Sequence, residues 1–243
     1  MNTPARKVLV LQHLDVEHPG VFRDFLARDG IAWELVELDA GERIPPLEDY
    51  AALWVMGGPM DVWEEDRHPW LRDEKAAIRR AVRELELPYL GFCLGHQLLA
   101  AALGGEVGPA GAAEVGIFDV IRTERDSPFL DGVPSRFEVL QWHGAEVTRA
   151  PRDALVLASS PRCAVQAMSV GARAFSMQFH VEITRDTVSE WQAVPAYCAA
   201  LERSLGVGGD ERLRAAAAAG LADFNALAAR LYANWCRATG FAR

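Results

Sequence analysis

The sequence predicts an α/β fold, with a mostly parallel, doubly wound sheet flanked by helices, a small antiparallel flap and a helical C-terminus. Three observations predict it. Short aliphatic runs alternate with stretches of helical spacing in the first half, strand-like runs follow one another from Glu114 onward, and helical spacing returns at the end. In order, KVLVLQH (Lys7 to His13) is a buried-strand run, followed by a helical-looking stretch to about Arg28 and a second strand from Trp33 to Asp39. That is the start of a βαβ pattern. Ala52 to Pro59 reads as a strand ending in a Gly-Gly-Pro turn, Trp70 to Leu85 has helical spacing, and Pro88 to Cys93 is the next strand. A helix from Leu94 runs until Gly104 and Gly105 stop it. The runs EVGIFDVIRT, FEVLQWH, ALVLASS, CAVQAMSV and RAFSMQFHVE, separated by Gly, Pro and Asp turns, extend the sheet and form the flap. Two helices close the chain, Thr184 to Leu205 and Asp210 to Thr239, around the linker Gly206 to Gly209.

Length and composition narrow the class. With 243 residues, half of them hydrophobic, the chain has the size of a single domain over 1–243 with a sizeable core. No apolar run reaches the roughly 18 residues of a membrane span, and the polar lead before Lys7 passes into a strand rather than a signal peptide, so the expected location is the cytoplasm with no membrane partner. The four cysteines show neither CxxC pairing nor zinc spacing, which predicts free thiols and no metal or other cofactor. A net charge of −9, without a stripe of Arg interleaved with aromatics, disfavours a nucleic-acid surface.

In an open parallel sheet the ligand lies at the carboxyl ends of the strands, so the chemistry is sought there. GFCLG (Gly91 to Gly95) is a Gly-x-nucleophile-x-Gly pattern between a strand and a helix, the context of a nucleophile elbow. The helix N-terminus puts partial positive charge beside Cys93, which favours its thiolate; read alone, the same motif also fits a structural cysteine between packing glycines. QFHVE (Gln178 to Glu182) sets His180 and Glu182 two residues apart at a strand end, on one face, as a base and its orienter; read alone, the pair also fits an edge-strand His and Glu exposed at a turn. MGGPM follows a strand, and Gly57 and Gly58 can present backbone N–H groups to an anionic oxygen, with Gly58 the preferred donor and Leu94 the second, though read alone Gly-Gly before Pro also fits a plain turn. Gln97, one helical turn past Cys93, can hydrogen-bond a polar substrate, and His143 and Gly144 of QWHG form a candidate substrate wall, His143 equally fitting a satisfied core histidine.

Taken in this order and spacing, MGGP, GFCLGHQ, QWHGAEV and QFHVE resemble the class I (triad) glutamine amidotransferases, and HPWLRDEKAAIRRAV with GFCLGHQLLAAALGG resembles their stand-alone, GMP-synthase-like members. The motifs span about Ala51 to Thr184, with a C-terminal helical extension over 184–239. The resemblance implies a flavodoxin-like fold and hydrolysis of the γ-carboxamide of L-glutamine through a Cys93 thioester, with Cys93, His180 and Glu182 as the triad. It further implies an oxyanion hole at the Gly58 and Leu94 backbone and substrate contacts at Gln97 and around Gly144. Many members carry proline between the histidine and the glutamate; here the residue is Val181, which is expected to alter the local turn and leave the triad intact. No phosphate-binding Gly-rich loop with Lys and Ser or Thr accompanies the motifs, so the ammonia would go to a separate synthetase or acceptor subunit or be released.

Two other readings stay open at this point. One is a γ-glutamyl peptidase acting on peptides or conjugates; the other is a non-catalytic binding or regulatory protein on the same fold. The apolar stripe Leu221, Phe224, Leu227, Leu231 and Trp235 fits packing on the domain, and equally a homo-oligomer or partner-docking face.

Overall fold

The computed structural model describes residues 7–241, so the polar lead before Lys7 lies outside the described residues. Its strands are β1 Lys7–Gln12, β2 Ala32–Glu37, β3 Ala52–Val55, β4 Tyr89–Phe92, β5 Glu106–Arg122, β6 Arg136–Arg149, β7 Ala154–Ser159, β8 Ala167–Val170 and β9 Ala174–Met177. They form one nine-stranded sheet in the order β2-β1-β3-β4-β9-β8-β7-β5-β6. From β2 to β9 neighbours run parallel, with Val8 opposite Ala52, Leu53 opposite Tyr89 and Tyr89 opposite Ala174. The expected flap is the antiparallel remainder, β8 to β6, and it continues the sheet rather than standing off it.

The inner parallel strands are largely apolar because both faces are covered, whereas the edge strand β2 carries Glu34 and Glu37. In β1, Val8 and Val10 join the core under α1 (Phe22–Arg28) and α6 (Gly209–Thr239), while Leu9 and Leu11 join the core under α2 (Trp70–Arg83) and α3 (Leu94–Ala102). Complete burial of each such side chain contributes about 1.5–3 kcal/mol. On the α6 stripe, Leu227, Leu231 and Trp235 join the first of these cores and Phe224 joins a third with Trp142 and Trp191; the Trp235 indole N–H donates to the Tyr89 carbonyl at 2.9 Å.

Two helices differ from expectation. The stretch before Arg28 is helical only from Phe22, because His18, Pro19 and Gly20 form a turn with Gly20 at φ +51°. The single helix expected from Thr184 to Leu205 is two, α4 (Thr187–Gln192) and α5 (Pro195–Leu205): Pro195 lacks an N–H and holds Val194 extended, at φ −83° and ψ 123°.

His96, beside the sheet on α3, ties that helix down. Its Nε2–H donates to the Val165 carbonyl at 3.0 Å and its Nδ1 accepts from the Ser176 hydroxyl at 2.8 Å, an arrangement that requires the neutral ring. Burial accordingly lowers its pKa to about 3. Because the folded pKa lies below the unfolded value of about 6.5, the stabilisation is complete above that value and is lost as pH falls from 6.5 toward 3. Replacing His96 by glutamine is expected to flatten the urea midpoint over that window relative to the parent. An unchanged pH dependence would rule His96 out as its source.

Candidate active site

Parallel pairing brings the carboxyl ends of β1, β3, β4 and β9 to one edge, and the residues that follow each strand meet there: His13, Gly57 and Gly58, Cys93, and Gln178 to Glu182. Cys93 occupies a left-handed conformation, φ 46° and ψ −100°, held by its N–H on the Met177 carbonyl at 2.9 Å. Gly95 makes the elbow sterically feasible, since a Cβ there would fall 2.2 Å from the Val55 carbonyl oxygen.

His180 lies three residues beyond β9 rather than on the strand. A single antiparallel bridge fixes it, its N–H donating to the Leu140 carbonyl at 2.9 Å. The ring Nδ1 is 2.6 Å from Glu182 Oε1, and Cys93 lies close enough to act on the ring's charge. Burial pulls the imidazole's pKa down, but Glu182 and a Cys93 thiolate outweigh it and hold it well above the usual histidine range. A protonated ring is the form from which a leaving amine can be protonated. Val181 matters here: its N–H donates to Glu182 Oε2 at 2.9 Å, a bond that a proline cannot make.

Gly20 locks the far side. Val21 N–H donates to the Glu182 carbonyl at 2.8 Å, and a Cβ on Gly20 would sit 1.7 Å from that oxygen. Gly20→Ala is therefore expected to lose at least about 2 kcal/mol of stability, from the left-handed φ and the collision together, read as a lowered denaturant midpoint. A midpoint equal to the parent's would contradict the close approach.

Behind the Gly57–Gly58 peptide sits His13, fully buried and stacked 5.4 Å from the Trp70 ring. Its Nδ1–H donates to the Gly57 carbonyl at 2.7 Å and its Nε2 faces buried Glu74 at 2.8 Å. Burial lowers the His13 pKa, but Glu74 and the Gly57 carbonyl more than offset it, so the pKa is raised. In a trans peptide the N–H points opposite to the C=O, so gripping the Gly57 carbonyl from behind turns the Gly58 N–H toward the cleft that Gly58 and Cys93 both line. Neither the Gly58 nor the Leu94 N–H has a backbone or side-chain acceptor among the described residues.

The cleft has a volume of about 800 Å³. Gly58, Cys93, Gln97, His143 and Gly144 line it, whereas Gly57 stands behind, against the Glu17 carboxyl. Gln97 spends both amide hydrogens on the protein, on the Ala145 carbonyl and Gln178 Oε1 at 3.1 Å each, which leaves its oxygen as the group free for a ligand. His143 directs its nitrogens to the Ala145 carbonyl and Glu114, within a buried network with Gln166 and Ser160, so it supports the wall more than it reaches from it.

Like His13, four further groups were not singled out from the sequence. Gln178 donates to the Cys93 sulfur at 3.4 Å, and Trp191 of α4 stands edge-on to His180 at 4.6 Å. Tyr197 of α5 lines the cleft and donates to Glu17, whose carboxyl pKa burial raises. Gln178 lay inside the QFHVE motif; the others come from segments with no local signature.

This geometry agrees with what the chain resembles. It matches the class-I glutamine amidotransferase family over residues 22–189. The chain belongs to that family. This amidotransferase is 38% identical over 191 residues to the glutamine-hydrolysing GMP synthase of Aeropyrum pernix, covering 73% of this chain and 35% of that one. It thus spans about a third of that relative's length. With the glutamine-hydrolysing GMP synthase subunit of Sulfolobus acidocaldarius it shares 34% identity over 151 residues, 62% of this chain and 77% of that one. A glutamine amidotransferase structure from Thermotoga maritima superposes with a TM-score of 0.86 at 29% identity, covering 97% of this chain and 98% of the other. As a member of this family the amidotransferase is an enzyme, and its doubly wound fold is the fold of that neighbour.

Proposed function

We infer that this enzyme hydrolyses the γ-carboxamide of L-glutamine through a thioester on Cys93. The observation that carries the reading is the contact of Cys93, on its strained elbow, with the His180–Glu182 pair. The thiolate attacks the carboxamide carbon, and the resulting oxyanion takes the Gly58 and Leu94 N–H groups. Imidazolium at His180 protonates the amine, the C–N bond breaks and ammonia leaves. Water then attacks the thioester carbon, giving its proton to His180, and glutamate departs with Cys93 regenerated.

The ammonia is handed to a separate synthetase chain. This reading is supported by the alignment over most of a relative that is itself named as one subunit of a GMP synthase. A γ-glutamyl peptide or conjugate is the second reading, favoured by a cleft in the range of about 300–1,000 Å³ that encloses drug-sized ligands. The experiment is glutamate and ammonia release from L-glutamine by the purified chain, beside a panel of γ-glutamyl peptides. Equal amounts of glutamate and ammonia from glutamine support the first reading, selective cleavage of the peptides supports the second, and no turnover of either by the protein alone or with a synthetase partner would sink both.

A further inference from the structure

The chain carries nine more negative than positive charges, and many of its arginines are tied to carboxylates: Arg72 to Glu65, Arg83 to Asp153, Arg149 to Glu106 and Arg237 to Asp131. Two arginines that line the cleft are not. Arg162 follows β7 and lies over the Phe118 ring at 5.4 Å, and Arg203 is in the last turn of α5; neither has a carboxylate partner among the described residues. They approach the cleft from different elements, one from the antiparallel part of the sheet and one from the C-terminal extension. The acidic residue among those lining the cleft is Asp61, beyond Gly58 and Pro59 on the loop after β3. Two unpaired guanidinium groups and one half-buried carboxyl around a shared space complement a ligand that carries both a carboxylate and an ammonium. Other arginines, Arg43 and Arg152 among them, also lack a carboxylate partner among the described residues, but Arg162 and Arg203 are the two that line the cleft, where a guanidinium can meet an anionic group on a ligand.

We propose that Arg162 and Arg203 form a carboxylate subsite at the mouth of the cleft, which selects γ-glutamyl substrates by an anionic group that the reaction leaves untouched. This rests on the hydrolase reading above. Two carboxylates have this chemistry: the α-carboxylate of the glutamyl unit, and a carboxylate on the amine that leaves.

Binding to the Cys93→Ala protein, followed by calorimetry, separates the subsite from turnover. One arm compares L-glutamine with L-glutamine α-amide; the other compares γ-L-glutamylglycine with γ-L-glutamylglycinamide, in which the α-carboxylate is common and cancels. Each ligand pair differs by one negative charge. The expected result is a preference of about tenfold or more for the charged member in one arm, shrinking as salt is raised and collapsing toward one with Arg162→Gln and Arg203→Gln together. Arg162→Lys with Arg203→Lys, which keeps both charges, is expected to retain part of it. Preference in the first arm assigns the α-carboxylate, preference in the second the leaving portion. No preference in either arm, or a preference that survives loss of both arginines, overturns the subsite. Wild-type turnover of L-glutamine and γ-L-glutamylglycine is measured in parallel, so absence of hydrolysis counts against the hydrolase reading while the binding ratios still decide the subsite.

Discussion

Replacing Cys93 by alanine is expected to lower kcat/KM for glutamine hydrolysis by at least about a thousandfold, because no other group in the cleft can carry the thioester. The other cysteines cannot substitute: none of Cys163, Cys198 and Cys236 lines the cleft, and burial pushes the Cys163 thiol up to about 12 and the Cys236 thiol to about 11. The stability of the variants separates chemistry from folding. Cys93 sits at φ 46°, a conformation that costs a residue with a Cβ about 1–3 kcal/mol and glycine much less. Cys93→Gly is therefore expected to be inactive and yet more resistant to urea than Cys93→Ala. Residual turnover within tenfold of the parent would remove Cys93 from the mechanism; equal midpoints for the two variants would show that the elbow stores no strain.

The second large effect concerns His13, which reaches the proposed oxyanion site through one peptide. His13→Gln keeps a polar group near Glu74 but moves it away from the Gly57 carbonyl, whereas the Nδ2 of His13→Asn falls close to the original Nδ1 and still donates there. With the Gly57–Gly58 peptide free to turn, kcat is expected to fall by about tenfold to a hundredfold in the glutamine variant with KM changing little, since the oxyanion exists only after attack. The asparagine variant should recover most of kcat. If both variants lost activity in proportion to their loss of stability, His13 would be a packing residue and nothing more.

Much of this was legible in the sequence, for a physical reason. Strands buried on both faces read as continuous aliphatic runs, as in KVLVLQ, and a nucleophile between strand and helix needs a glycine where backbones touch, as at Gly95. His180 and Glu182 were legible as a pair because they are neighbours in the chain, although what holds His180 is a backbone bridge to Leu140 and not the strand. Glu17, Tyr197 and Trp191 were not legible. Each reaches the site from a distant segment, and each local context is that of an ordinary loop or helix residue, so their roles exist only in the folded arrangement. The break at Pro195 was visible as a proline but outweighed by the helical spacing on either side of it.

The wall contributed by α5 has an implication for how such an enzyme can diversify. Residues of α5 between Ala196 and Leu205 line the cleft, yet they lie past residue 189, where the match to the family ends. The groups proposed to break and form bonds are thus encoded in one stretch of the gene, and a large share of the cleft surface is encoded in another. Drift or recombination confined to the second stretch can retune what is accepted while the bond-breaking apparatus is inherited intact, which makes that short segment the natural target for libraries seeking altered substrate preference.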